Sequence, residues 1–177
     1  MTYDLSKAEK LIDECAQAGI HVVQYPLPET VRGLYFETSE TEPVISLSSY
    51  LKSQSEICSI VAEELGHYHT SCGDLLTDKK ADKTIIAKQE NKAKRWAVKH
   101  LVPLEHLVKS FESGAKNFYE MAEFLEITEE FLVEAFRKYN EIYGKYTEYG
   151  DYIIYFEPPA FFKYFNDNHS QPKIQIY

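Results

Sequence analysis

The order of apolar and polar residues predicts an α+β fold. A small N-terminal mixed sheet packs on a helical body, and a C-terminal helix-turn-helix-like pair precedes a final strand. Three observations predict it. Two Ser-x-x-Glu capping boxes open helical stretches. Short β-branched and aromatic runs lie between them, punctuated by Pro and Gly. A compact two-helix pattern then leads into an aromatic-rich end.

Ser6-Lys7-Ala8-Glu9 is the first capping box, in which a hydroxyl and a carboxylate satisfy each other's free amides. The helix it opens carries Ala8, Leu11, Ile12 and Cys15 on one face and stops at Gly19. The runs Ile20 to Tyr25, Val31 to Phe36 and Val44 to Leu47 read as strands, with Pro26, Pro28, Gly33 and Pro43 marking turns. Ser53-Gln54-Ser55-Glu56 opens a second helix reaching about Thr70, with Gly73 just beyond and Ile57, Ile60, Val61 and Leu65 as its buried stripe.

A third helix starts near Asp82 and ends before Pro103. Pro103 suits the first turn of a short fourth helix reaching Phe111, because its missing N–H is not needed there. After Gly114, Phe118, Met121, Ala122 and Leu125 form one apolar stripe; Phe131, Leu132, Ala135, Phe136 and Tyr139 form the next. Thr128 is the natural N-cap between them, and Glu129 and Glu130 suit the positive end of the helix it starts. Tyr149 to Phe156 and Phe161 to Phe165 read as strand and tail, broken by Pro158-Pro159.

Composition narrows the function. The 28 acidic residues outnumber 19 basic ones, and a net charge of −9 opposes attraction to nucleic acid or an anionic membrane. No stretch approaches the roughly 18 apolar residues of a membrane span. The first residues have no apolar core of a signal peptide, and Cys15, Cys58 and Cys72 are too few and too scattered for a disulfide framework. A reducing cytoplasm is the expected setting.

The chemistry concentrates in Glu63-Glu64-Leu65-Gly66-His67. Glu63 and His67 are four residues apart and project from one helix face, with Glu64 beside them. In H-E-x-x-H two histidines at that spacing hold zinc, and the glutamate between them acts as general base toward the metal's water. Here Glu64 and His67 are in place and Glu63 stands where the first histidine would be, which makes this a zincin-like helix with an altered ligand position. Gly66 keeps the surface beside His67 low, leaving room for a metal or a substrate chain. On the next helix, Glu90, Ala93, Ala97 and Leu101 share a face; a carboxylate on a face otherwise built for packing needs a partner, either a metal or a salt bridge.

Four passages together resemble the ImmA/IrrE family of zinc metallopeptidases, especially the small members encoded by prophages and mobile elements. They are Gly33-Leu34-Tyr35, Val44-Ile45-Ser46-Leu47, Ala62 to Thr70, and Glu90-x-x-Ala93-x-x-Trp96-Ala97-x-x-x-Leu101-Val102-Pro103. The resemblance implies a zinc-peptidase-like domain over residues 1–112, with residues 113–177 forming the helical pair, aromatic strand and tail. It implies Glu64 as the catalytic base, His67 and Glu90 as zinc ligands, and a protein substrate, namely a helix-turn-helix repressor that the protein cleaves.

Glu63 keeps three readings. It ligates zinc through a carboxylate oxygen, or turns aside and leaves a weaker site, or marks a site that no longer binds metal. A fold that binds a repressor without cutting it is the corresponding alternative function. His69 lies roughly 200° around the helix from His67 and is not expected to face the same metal, unless the helix ends early and His69 or Cys72 folds back.

Direct DNA binding by the helix pair is disfavoured. Between Asn117 and Asn140, Glu120, Glu123, Glu126, Glu129, Glu130 and Glu134 face only Arg137 and Lys138. Lys88, Lys92, Arg95 and Lys99 form a stripe that reads as a solvated face. His21, His100 and His106 read as surface or packing residues, and Ser46, Ser48 and the cysteines lack a catalytic partner.

Overall fold

The computed structural model describes residues 5–38, 40–70, 83–163 and 174–176. Cys72, Gly73 and Asp82 of the preceding section, and the tail at Phe165, lie outside the described residues. The chain separates into two compact units, Met1–His100 and Leu101–Tyr177. No helix among the described residues is long and apolar enough to cross a membrane.

In the first unit, α1 (Lys7–Gln17) opens on the Ser6/Glu9 box. Ser6 N–H donates to Glu9 Oε2 at 2.8 Å, and Glu9 N–H donates back to Ser6 Oγ at 3.3 Å. Three strands follow: β1 (His21–Tyr25), β2 (Gly33–Thr38) and β3 (Thr41–Ser48). The sheet order is β1-β3-β2, with β1 parallel and β2 antiparallel to β3, so the sheet is mixed and β2 is an edge. Pro43 falls inside β3 rather than before it. It precedes Val44, where pairing with β1 begins, and sits opposite a register shift in β2, where a missing N–H is tolerated.

The second box holds as well: Ser53 N–H donates to Glu56 Oε2 at 3.0 Å, and Glu56 N–H donates to Ser53 Oγ at 3.2 Å. It opens α2 (Gln54–Thr70), which packs on α1, β2 and β3. Cys58, Val61, Ala62 and Leu65 are fully buried there, together with Leu11, Cys15, Ile45 and Leu47. Next is α3 (Lys83–Leu101), whose Ala93, Ala97 and Leu101 are buried while Lys88, Lys92 and Lys99 are exposed, as their helical spacing predicts; Arg95, expected on the same solvated stripe, is instead half-buried.

The second unit contains α4 (Leu104–Glu112), α5 (Phe118–Leu125) and α6 (Glu129–Tyr143). Pro103 is the N-cap of α4. Asn117 caps α5, and Thr128 Oγ1 accepts from Phe131 N–H at 3.2 Å to cap α6. The aromatic end goes further than one strand: β4 (Tyr146–Tyr149), β5 (Tyr152–Phe156), β6 (Pro159–Lys163) and β7 (Ile174–Ile176) form an antiparallel sheet in sequence order. Pro159 opens β6, a position where a strand needs no donor. Alternate residues of β5 (Tyr152, Ile154 and Phe156) are buried, and α6 packs on β4 and β5. The core is aromatic: Phe111 stacks on Phe161 at 5.1 Å, and Tyr139 on Phe156 at 5.5 Å.

Candidate metal centre

The sheet order explains the first contact of the site. An edge strand presents backbone N–H groups with no neighbouring strand, and each needs another acceptor when covered. Tyr35 N–H, in β2, donates to Glu64 Oε2 at 2.7 Å. α2 therefore caps the edge of the sheet with the carboxylate expected to act as base.

Gly33 makes this approach possible. A Cβ there would lie 2.4 Å from Ile60 Cγ2 and 2.9 Å from Glu64 Oε1. The glutamate carboxylate thus lies against bare backbone, one oxygen held by the Tyr35 amide and the other over Gly33. Withdrawal from water pushes the Glu64 carboxyl up to about 7; the Tyr35 hydrogen bond opposes this, and the charges of Glu63 and Glu90 add to it. A carboxyl poised there can exchange a proton near neutral pH.

Gly66 has a different purpose from the one its neighbourhood suggests. A Cβ at this position would lie 2.3 Å from the Ala93 carbonyl oxygen and 2.9 Å from its carbon. The space beside His67 is taken by the backbone of α3, not left for a substrate. That close crossing brings Glu90, one turn before Ala93, to His67: Nε2 and Oε1 are 3.7 Å apart.

His69 continues α2 and turns away, as its angular offset requires. Its ring stacks on Trp96 at 4.3 Å, and Trp96 stacks on His100 at 4.5 Å. His100 Nε2 in turn meets Glu14 Oε2 of α1 at 2.9 Å. Tyr68 and Tyr35 extend the row edge to face, at 4.9 and 5.9 Å. Desolvation holds the His69 imidazole below its ordinary value, Glu14 opposing and His100 reinforcing the shift. Cys15 and Cys58 are buried and form no disulfide among the described residues, and burial pushes the Cys15 thiol up to about 12, away from the reactive thiolate.

The donor set can be tested against zinc. Histidine nitrogen and carboxylate oxygen bind tetrahedral zinc at about 2.0–2.2 Å, which places neighbouring ligand atoms roughly 3.4 Å apart. The 3.7 Å between His67 Nε2 and Glu90 Oε1 is close to that spacing and too long for a hydrogen bond. His67 Nδ1 is buried without a hydrogen-bond partner, so the ring lacks the second bond that normally fixes a ligating imidazole. Among the described residues no three His, Cys, Asp or Glu side chains are gathered into a set that could hold a metal ion. The residues fit zinc in donor type and, for one pair, in spacing. Glu63 is half-buried, and its charge acts on Glu64.

The sequence named Glu63, Glu64, His67 and Glu90, of which the structure brings His67 and Glu90 together; it did not name the Tyr35 amide or the two close approaches. Glycine inside a strand was the available signal, since it marks a place where something comes near the backbone.

No curated protein and no solved structure matches the chain. Residues 15–137, more than half of it, match the Peptidase M78 family, described as an IrrE N-terminal-like domain, and this span includes Gly33, Glu63, Glu64, His67 and Glu90. The chain belongs to the ImmA/IrrE family of peptidase-fold proteins, M78.

Proposed function

We propose that this protein is a zinc-dependent endopeptidase acting in the cytoplasm on a cognate helix-turn-helix repressor of a prophage or mobile element. The observation that carries the reading is the Glu64 carboxylate, held at Oε2 by the Tyr35 amide one helical turn from a His67/Glu90 donor pair. His67 and Glu90 would hold the ion, with Glu63 as the third protein donor. Zinc, when bound, supplies Lewis acidity that polarises a peptide carbonyl and acidifies water. Glu64 takes the proton of the attacking water on Oε1, the oxygen not engaged by Tyr35, and returns it to the leaving amine. The fixed Oε2 contact keeps the carboxylate from rotating away between these two transfers.

The test is incubation of the zinc-loaded protein with the repressor encoded beside it. Cleavage is expected from the wild type and at least about a hundredfold less from Glu64→Gln. Cleavage that persists in the variant, or never occurs in the wild type, overturns the catalytic reading.

Glu63 in the first ligand position and the unpartnered His67 Nδ1 favour a second reading, a peptidase-fold protein that binds and inactivates the repressor without cutting it. Elemental analysis separates the two. One zinc per chain, lost in His67→Ala, supports the enzyme; stoichiometric repressor binding by zinc-free protein supports the binder.

A further inference from the structure

The α5–α6 pair has the build of a DNA-reading helix-turn-helix. An eight-residue first helix ends at Glu126 in the left-handed conformation, φ 56, and Thr128 starts the second helix after a short turn. In such units the outer face of the second helix meets the major groove. Here that face presents Glu129, Glu130, Val133 and Arg137, all exposed.

Its cations are already committed. Arg137 donates to both oxygens of Glu134 at 2.7 Å and to Glu141 at 2.9 Å. Lys138 is buried and reaches Glu141 at 3.1 Å. Glu129 and Glu130 carry no ion pair among the described residues. A phosphate backbone would meet carboxylates on this face.

The same face is not purely charged. Val133, on that face of α6, is 53% exposed, and in the neighbouring helix Phe124, in the last turn of α5, is 48% exposed. The core beneath does not need them, because Met121, Leu125, Leu132, Ala135, Phe136 and Tyr139 already fill it. Apolar side chains with an acidic surround are the complement of a protein surface with an apolar centre and a lysine and arginine rim.

We propose that the Phe124–Val133 face of α5 and α6 docks a basic amphipathic protein segment, a helix with an apolar stripe flanked by Lys and Arg. Glu129 and Glu130 contact the basic rim, and Phe124 and Val133 contact the stripe. Docking requires neither Glu64 nor a metal, so it stands or falls separately from peptide cleavage.

The test uses the full chain and a fluorescent synthetic helix with leucines flanked by lysines and arginines, followed by anisotropy at near-physiological salt. Saturable binding is expected, weakened at least about tenfold by the charge reversal Glu129→Lys with Glu130→Lys. A similar loss, about tenfold, is expected for Phe124→Ser with Val133→Ser, which leaves every charge in place. A control reversal on the other unit, Glu29→Lys with Glu42→Lys, is expected to change affinity less than about twofold. All six side chains are exposed, and circular dichroism verifies that each variant keeps its helices. Equal losses from the two charge reversals would mean diffuse attraction to an acidic protein and overturn the proposal. So would unchanged binding by the two-serine variant, or displacement of the peptide by duplex DNA.

Discussion

The two helix pairs of this chain handle carboxylates in opposite ways. In α2 and α3, His67 meets Glu90, and Glu64 is drawn onto backbone that Gly33 leaves uncovered, with the charges of Glu63 and Glu90 acting on its carboxyl. In α5 and α6, the carboxylates are spread over the outer face, where Glu120 accepts from the Lys116 amide, Glu134 holds Arg137, and Glu129 and Glu130 meet solvent. Both arrangements are acidic; the first withdraws a carboxylate from water, whereas in the second the buried charge is Lys138, which pairs with Glu141. Desolvation is what pushes the Glu64 carboxyl up from its ordinary value. The first pair therefore carries the stability cost of a desolvated carboxylate, and such costs concentrate where chemistry is done.

The largest effect that sharpens this contrast is expected at Gly66. The obstacle to a Cβ there is the Ala93 carbonyl, which is backbone and cannot swing aside. Gly66→Ala is expected to cost about 3 kcal/mol or more in urea denaturation. A loss below about 1 kcal/mol would mean that the crossing of α2 and α3 is not held at this spacing.

An intermediate effect of opposite sign is expected at Glu64. As pH rises, the unfolded chain loses this proton near the ordinary value of 4.5, while the folded chain keeps it until about 7. Between those values the folded state binds more protons, so stability falls with rising pH. Gln offers an acceptor to the Tyr35 amide and has no proton to lose. In metal-free protein, Glu64→Gln is therefore expected to raise stability by about 2 kcal/mol above pH 7 and to do nothing near pH 4. A gain that does not change with pH would contradict the desolvated carboxyl.

The smallest effect belongs to the second pair. Thr128→Ala removes the hydroxyl that accepts the Phe131 amide and is expected to cost about 1 kcal/mol. That loss should be the same at pH 5 and pH 7, because neither the hydroxyl nor the amide of this hydrogen bond titrates there. Thermal melts at both values check it, and a strong pH dependence would erase the distinction drawn between the pairs.

What could be read from sequence depended on range. Ser6/Glu9, Ser53/Glu56 and Thr128 act within three residues, and each forms the cap its spacing predicts. The Ala93, Ala97 and Leu101 face is equally local, because helical period alone defines it. Tyr35 and Glu64 are 29 positions apart and meet only because β2 is an edge, which follows from the parallel pairing of β1 with β3. No local pattern encodes that order. Gly66 shows a subtler limit: its missing side chain was plain, but whether the space served a ligand or another helix depended on a residue 27 positions away in the sequence. The aromatic end was legible as strand-forming, but its assembly into four strands depends on pairing that propensity alone does not specify.

Trp96 is the chain's sole tryptophan, and it lies between the imidazoles of His69 and His100, at 4.3 and 4.5 Å. Those rings come from α2 and α3, and His100 is tied to α1 through Glu14. An imidazole stacked this closely on an excited indole accepts an electron from it, above all when protonated, and so quenches its emission. The indole fluorescence brightens when either imidazole departs, so the protein carries an intrinsic optical gauge of whether its first three helices remain assembled.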